Sequence, residues 1–73
     1  MELKIYSLEG TIFEGQAPQV VLPSQDGEIT VLPHHASLVT ILKGGMVRYN
    51  NETLEIKSGF AEVGNNKVVV LVN

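Results

Sequence analysis

The feature that most constrains this chain is its punctuation. Apolar segments recur about every 8–12 residues with glycine, proline or asparagine between them, and most alternate polar with apolar positions. A period of two sends successive side chains to opposite faces, which describes half-buried strands. No repeat, linker or low-complexity stretch breaks the pattern. Residues 1–73 therefore read as one all-β domain, a sandwich or barrel.

Leu3 and Ile5 alternate with Glu2, Lys4 and Tyr6 until Glu9-Gly10. Residues 11–15 alternate again, and beyond Ala17-Pro18 the run Gln19-Val20-Val21-Leu22 reaches Pro23. This reads as one long strand with a bulge or bend near Pro18. Ser24-Gln25-Asp26-Gly27 is a polar turn between β-branched runs, and Gly27 takes positive φ without a Cβ clash, so a hairpin begins there. The following strand must end at Pro33, which has no N–H for a further ladder bond. His34 and His35, the only imidazoles, form the corner that follows.

A helix competes with strand only over residues 36–43, where Ser37 could cap it and Leu38, Ile41 and Leu42 have helical spacing. Strand is preferred because Val39, Thr40 and Ile41 are consecutive β-branched residues. Asn50-Asn51 and Gly64-Asn65-Asn66 then separate two further pairs of strands, and asparagine tolerates the left-handed backbone of tight hairpin turns. The expected sheet is antiparallel, with Leu3, Ile5, Val21, Ile29, Val31, Leu54, Ile56 and Val70 in its core. The last run, Val68-Val69-Val70-Leu71-Val72, is apolar at every position. It suits a strand covered on both sides, or one whose outer face docks against another chain.

Bulk properties exclude several functions. A 73-residue chain buries only about 60% of the surface its unfolded form exposes, and with no cysteine it has neither a disulfide framework nor a thiolate metal site. Five basic against eight acidic residues give a net charge of -3, which disfavours nucleic acid. No apolar run approaches the ~20 residues of a membrane span, so direct membrane insertion is not expected and membrane association would come through a partner. Asn51-Glu52-Thr53 matches a glycosylation sequon but reads as a plain turn.

Catalytic constellations fare no better. His34 and His35 are adjacent, so in extended chain they point to opposite faces and do not readily chelate one metal. Ser37, His35 and Asp26 could be imagined as a triad, yet no nucleophile elbow accompanies the serine. Glu28 has no evident second carboxylate or base. No catalytic residue, metal site or cofactor is expected.

The stretch Gly27-Glu28-Ile29-Thr30-Val31-Leu32-Pro33-His34-His35-Ala36-Ser37-Leu38-Val39-Thr40 resembles the epsilon subunit of bacterial and plastid rotary ATP synthases, the mitochondrial delta subunit, where a sequence near G-E-L-G-I-L-P-G-H-A-P-L-x-T occurs. Glu9-Gly10, Phe13-Glu14-Gly15, Val21-Leu22-Pro23, Gly45-Met46-Val47-Arg48, Gly59-Phe60-Ala61-Glu62-Val63 and Asn66-Lys67-Val68-Val69-Val70-Leu71 fall in the same order, so the resemblance covers nearly the whole chain. Thr30 and His34 depart from the usual glycines, and Ser37 from the usual proline. Positions 30 and 34 are accordingly expected to avoid glycine-only backbone.

The resemblance implies a flattened antiparallel β-sandwich like the epsilon N-terminal domain, without the C-terminal helical hairpin of longer members. It implies a non-catalytic central-stalk subunit linking the gamma subunit to the c-ring and coupling ion translocation to ATP synthesis. Such a subunit is peripheral to the membrane, on the cytoplasmic side in bacteria. Asp26, Gly27 and Glu28 would face the c-ring, and Ser7, His35 and Thr40 the gamma subunit. With nothing after Asn73, no self-inhibitory arm and no ATP binding through one are expected. The runner-up is a stand-alone small-ligand-binding β-domain, although only Tyr6, Phe13, Tyr49 and Phe60 are available to line a pocket. A small hydrolase comes third.

Overall fold

The computed structural model describes all 73 residues; they form nine strands joined by turns and loops, with no helix. In order they are β1 (Glu2–Ser7), β2 (Gly10–Gln16), β3 (Val20–Ser24), β4 (Gly27–Val31), β5 (Leu38–Leu42), β6 (Gly45–Tyr49), β7 (Glu52–Ile56), β8 (Gly59–Gly64) and β9 (Lys67–Val72). They form one sheet ordered β2-β1-β9-β8-β5-β3-β6-β7, with β4 on the free side of β3. The sheet curls into two layers, because groups near its two ends meet. The Phe13 ring of β2 lies 4.9 Å from the Tyr49 ring of β6, and Asn50 Nδ2 donates to the Gln16 carbonyl at 2.9 Å. One layer is β2-β1-β9-β8-β5 and the other β4-β3-β6-β7.

The turns follow from their residues. Asn50 and Asn51 have φ of 47° and 64°, Asn65 and Asn66 of 52° and 56°. Two successive positive φ values match the right-handed twist of the strands they join, and asparagine bears that conformation at low cost. Gly27 has φ of 129°, a region that only glycine enters freely, and it opens β4 opposite Ser24. Residues 38–42 are strand, as the β-branched run required, and β4 stops at Val31 ahead of Pro33.

Three expectations need correction. Residues 11–22 are not one bent strand: β2 and β3 lie in different layers, and the chain crosses between them at Pro18. The irregularity sits at Ile12, which the β1–β2 register skips between its Ile5–Phe13 and Tyr6–Thr11 pairs. The pairing is also not wholly antiparallel. β1 runs parallel to β9, so the strands nearest the two ends of the chain lie side by side at the centre of one layer.

The third concerns the core. Leu3, Ile5, Val31, Ile56 and Val70 are buried as expected, Ile29 and Leu54 are half-buried but packed against that core, and only Val21 lies outside it. Val20 and Leu22 take the inward positions of β3, because the crossover at Pro18 resets the phase of that strand. Leu42, Val47, Ala61, Val63, Val68 and Val72 complete the core with Ala17. Buried Ser24 is satisfied within its own hairpin, where its Oγ donates to the Gly27 carbonyl.

Candidate docking faces

Across the outer side of the first layer the registers align single side chains into rows. Ile41 pairs with Phe60, Phe60 with Leu71, and Leu71 with Tyr6. Two residues along, Val39, Glu62, Val69 and Lys4 form the next outward row. Val39 is 59% exposed, Ile41 56%, Leu71 49% and Phe60 41%, so large apolar groups on three adjoining strands stand in solvent together. Such a contiguous patch is what a docking surface offers, whereas single exposed apolar residues signify little. The apolar run of β9 is thus resolved into a buried inner side, Val68, Val70 and Val72, and an outer side that the domain does not cover.

Polar groups frame this patch. Lys4 Nζ lies 3.8 Å from Glu2 Oε2, and the Tyr6 hydroxyl donates to Glu14 Oε2 at 3.2 Å. Glu62 is exposed between Val39 and Val69 and makes no ion pair. Leu8, in the β1–β2 turn, is 91% exposed at the Tyr6 end of the patch. The outer side of the second layer is more polar: Thr30, Val21, Arg48 and Thr53 share a row, and Arg48 Nη2 sits 3.5 Å from Glu28 Oε2. In the same layer burial, and secondarily the charge of Glu52, holds the Tyr49 phenol above its ordinary pKa.

Asp26, Gly27 and Glu28 lie at the β3–β4 turn, beside the apolar patch. The Gln25 N–H donates to the Ile41 carbonyl at 2.9 Å and the Lys43 N–H to the Pro23 carbonyl at 2.9 Å, which ties this hairpin to the end of β5. Gln25, which precedes the tip, is thereby held beside Ile41, the residue after Thr40. Thr40 itself falls in the row of Ala61, Val70 and Ile5, on the inner side of the layer, and is half-buried.

Ser7 and His35 are far apart. Ser7 closes β1, where its Oγ accepts the Glu9 N–H at 3.2 Å. His35 belongs to the corner after β4, at the opposite end of β1. There the His34 N–H donates to Asn66 Oδ1 at 3.0 Å and the Glu2 N–H to the Asn66 carbonyl at 3.1 Å. The length of β1, roughly 17 Å at about 3.3 Å per residue, separates the two. Ser7, His35 and Thr40 therefore mark the rim and inner side of the layer that carries the patch. His34 has φ of 64°, in the left-handed region that is costly for a residue with a Cβ but not confined to glycine, and its bond to Asn66 holds it there. His35 Nδ1 lies 2.7 Å from the Ala36 carbonyl, which requires the proton on that nitrogen.

The row of Ile41, Phe60 and Leu71 was not among the residues expected from sequence. Its one signal was the double-sided apolar character of β9, which marks a face without naming the neighbouring strands that share it.

The sequence profile of the family described as ATP synthase, Delta/Epsilon chain, beta-sandwich domain matches residues 1–73. An ATP synthase epsilon chain of Campylobacter fetus is 44% identical, with all of this chain aligned to 60% of the relative. One of Desulfitobacterium hafniense is 39% identical, with 97% of this chain aligned to 57% of the relative. The chain thus spans about three fifths of the length of these relatives. Among solved structures, the central stalk and c-ring of the Tetrahymena thermophila mitochondrial ATP synthase has a chain similar at a TM-score of 0.84 and 12% identity, over 99% of this chain and 62% of that one. A chain in the Euglena gracilis mitochondrial ATP synthase has a TM-score of 0.84 and 21% identity, over 96% and 48%. The two structures share the fold, and the profile together with the sequence relatives settles the kinship: this chain belongs to the family of ATP synthase delta/epsilon chain β-sandwich domains.

Proposed function

We propose that this domain is a non-catalytic rotor part that joins the gamma subunit of a rotary ATP synthase to its c-ring and so couples ion translocation to ATP synthesis. The observation that carries this reading is the pairing of two chemically different surfaces on one small rigid body. The apolar outer side of β9, β8 and β5 suits a stable stalk contact, because it removes Val39, Ile41, Phe60 and Leu71 from water together. The polar tip at Asp26, Gly27 and Glu28 suits the loops of a ring, where a carboxylate gives register and orientation more than affinity. Ser7 and His35 border the gamma contact from two ends of the layer, and Thr40 backs it from the inner side. Torque passes between the two surfaces because the hairpin carrying the tip is bonded to the strand carrying Ile41. The domain resides at the membrane surface, on the cytoplasmic side in a bacterium, held by its partners.

A stand-alone ligand-binding domain would need an enclosed site. The two concavities present, one around Ser37, Glu62 and Lys67 and the other around Arg48, Asn50 and Glu52, are open to solvent. The deciding experiment is isolation of the tagged chain from detergent-solubilised membranes of its source. Recovery of gamma and c subunits is expected, with gamma lost in a Phe60→Glu variant. Recovery of neither with the wild-type chain would overturn the reading.

A further inference from the structure

Charge on the outer side of the first layer does not balance, and the imbalance falls inside the apolar patch. Lys4 stands opposite Glu14 across β1 and β2, and Lys67 opposite Glu2 across β9 and β1. Each of these cations thus has a carboxylate as its cross-strand neighbour, and Lys4 Nζ also lies 3.8 Å from Glu2 Oε2. Glu62 is the carboxylate left over. Its own cross-strand neighbours are Val39 and Val69, and Lys67, diagonal to it across β8 and β9, makes no ion pair with it. Along β8 the next outward residue is Phe60 in one direction and Gly64 in the other. Gly64 has no side chain, so the open concavity bounded by Ser37, Lys67 and Val69 leads to the Glu62 carboxylate.

In the free domain Glu62 is exposed and hydrated, so the surplus charge carries no penalty. Docking changes that. A body that covers Val39, Phe60 and Leu71 together also covers Glu62, which Val39, Phe60 and Val69 bound on three sides. A carboxylate taken out of water among apolar groups is costly unless a cation meets it. Glu62 therefore disfavours a partner that is wholly apolar at this point, and one that is acidic there more strongly.

We infer that the stalk partner seats a basic side chain against Glu62, ringed by the apolar groups that cover the rest of the patch. An arginine guanidinium suits the place better than a lysine ammonium, since it is less strongly hydrated and its planar fork engages both carboxylate oxygens. It enters over Gly64, the side on which β8 offers no side chain of its own. The inference rests on the stalk reading of this face and adds to it the chemistry of the partner. The pair fixes the register of a contact that apolar groups alone leave free to slide.

The test is the kinetics of binding between this chain and the gamma-containing soluble part of its source's ATP synthase, freed beforehand of the chain. Glu62→Gln and Glu62→Leu are compared with the wild type. Loss of one partner of a covered charge pair acts on dissociation, so both variants should leave roughly thirtyfold faster or more, even though leucine enlarges the apolar face. Their melting temperatures should match the wild type, because Glu62 is exposed in the free domain. Unchanged or tighter binding of Glu62→Leu would overturn the basic counterpart and leave the stalk reading standing, since only an apolar or hydrated counterpart tolerates that variant. Losses confined to the association rate would overturn it as well, by making Glu62 a steering charge at a wet rim. A wild-type chain that does not bind, or binding that survives Phe60→Glu, would overturn the stalk reading of this face and the inference with it.

Discussion

Two residues carry conformational or electrostatic cost that a substitution can release. His34 holds a left-handed φ of 64°, which costs a residue bearing a Cβ about 1–2 kcal/mol. The Asn66 side chain offsets part of this by accepting the His34 N–H. His34→Gly removes the clash but loosens the unfolded chain, for a net gain of a few tenths to ~1 kcal/mol. Asn66→Ala forfeits both the bond and a residue suited to φ of 56°, a loss of ~1 kcal/mol or more. Thermal melts should move in opposite directions, by about 4–8 °C per kcal/mol in a domain of this size. Tyr49 supplies the pH dependence. Its raised pKa means that the unfolded phenol ionises first as pH climbs, so the folded state then binds more protons than the unfolded one. Stability due to Tyr49 is intact below the ordinary phenol pKa of about 10 and is lost as pH rises through the folded value. Urea melts between about pH 9 and 11 should show this decline in the wild type and a shallower one in Tyr49→Phe, which keeps the ring against Phe13.

At the scale of elements, the consequential strand is β9, paired parallel to β1 and antiparallel to β8. It passes so close to the start of β8 that a Cβ on Gly59 would lie 2.6 Å from the Leu71 carbonyl oxygen. Gly59→Ala must therefore push the strands apart, and overpacking of this kind costs ~1–3 kcal/mol. The phase of β3 gives a sharper test: Leu22→Ala, at a fully buried site, should cost ~2–5 kcal/mol, while Val21→Ala on the outer side should cost under ~1 kcal/mol. Equal losses in denaturant melts would mean that the inward side of β3 is misassigned. These elements also separate what sequence reveals from what it does not. The Asn50-Asn51, Asn65-Asn66 and Asp26-Gly27 turns were legible because a local backbone requirement selects those residues. Val20-Val21-Leu22 has no alternation, so only the crossover at Pro18 and the packing of the second layer decide which valine points inward. The β1–β9 pairing was hidden for a similar reason, since it joins opposite ends of the chain and leaves no local signature. The polar tip of the candidate site was readable within one turn. The apolar face was not, because Ile41, Phe60 and Leu71 become neighbours only through the registers of three strands.

On the scale of the whole molecule, the coupling role proposed above predicts two surfaces that fail separately. Phe60→Glu places a charge in the middle of the apolar face and should abolish binding of the stalk partner. Since Phe60 is 41% exposed in the free domain, its melting temperature should change little. Glu28→Lys should leave stalk binding intact and weaken attachment to the ring, more at low ionic strength than at high, as expected of a rim charge. Glu28 also lies 3.5 Å from Arg48, with both side chains more than half exposed, so the reversal breaks an internal pair as well. Exposed pairs contribute only about 0–1 kcal/mol, which makes that a poor explanation for a lost assembly. The double variant Glu28→Lys, Arg48→Glu separates the two causes, because it rebuilds the internal pair with reversed polarity. If Glu28 acts by touching the ring, the double variant remains defective in pull-downs of the c-ring although its stability is normal. Full recovery of ring binding would instead mean that Glu28 serves through Arg48, and the ring-facing role of the β3–β4 tip would have to be withdrawn.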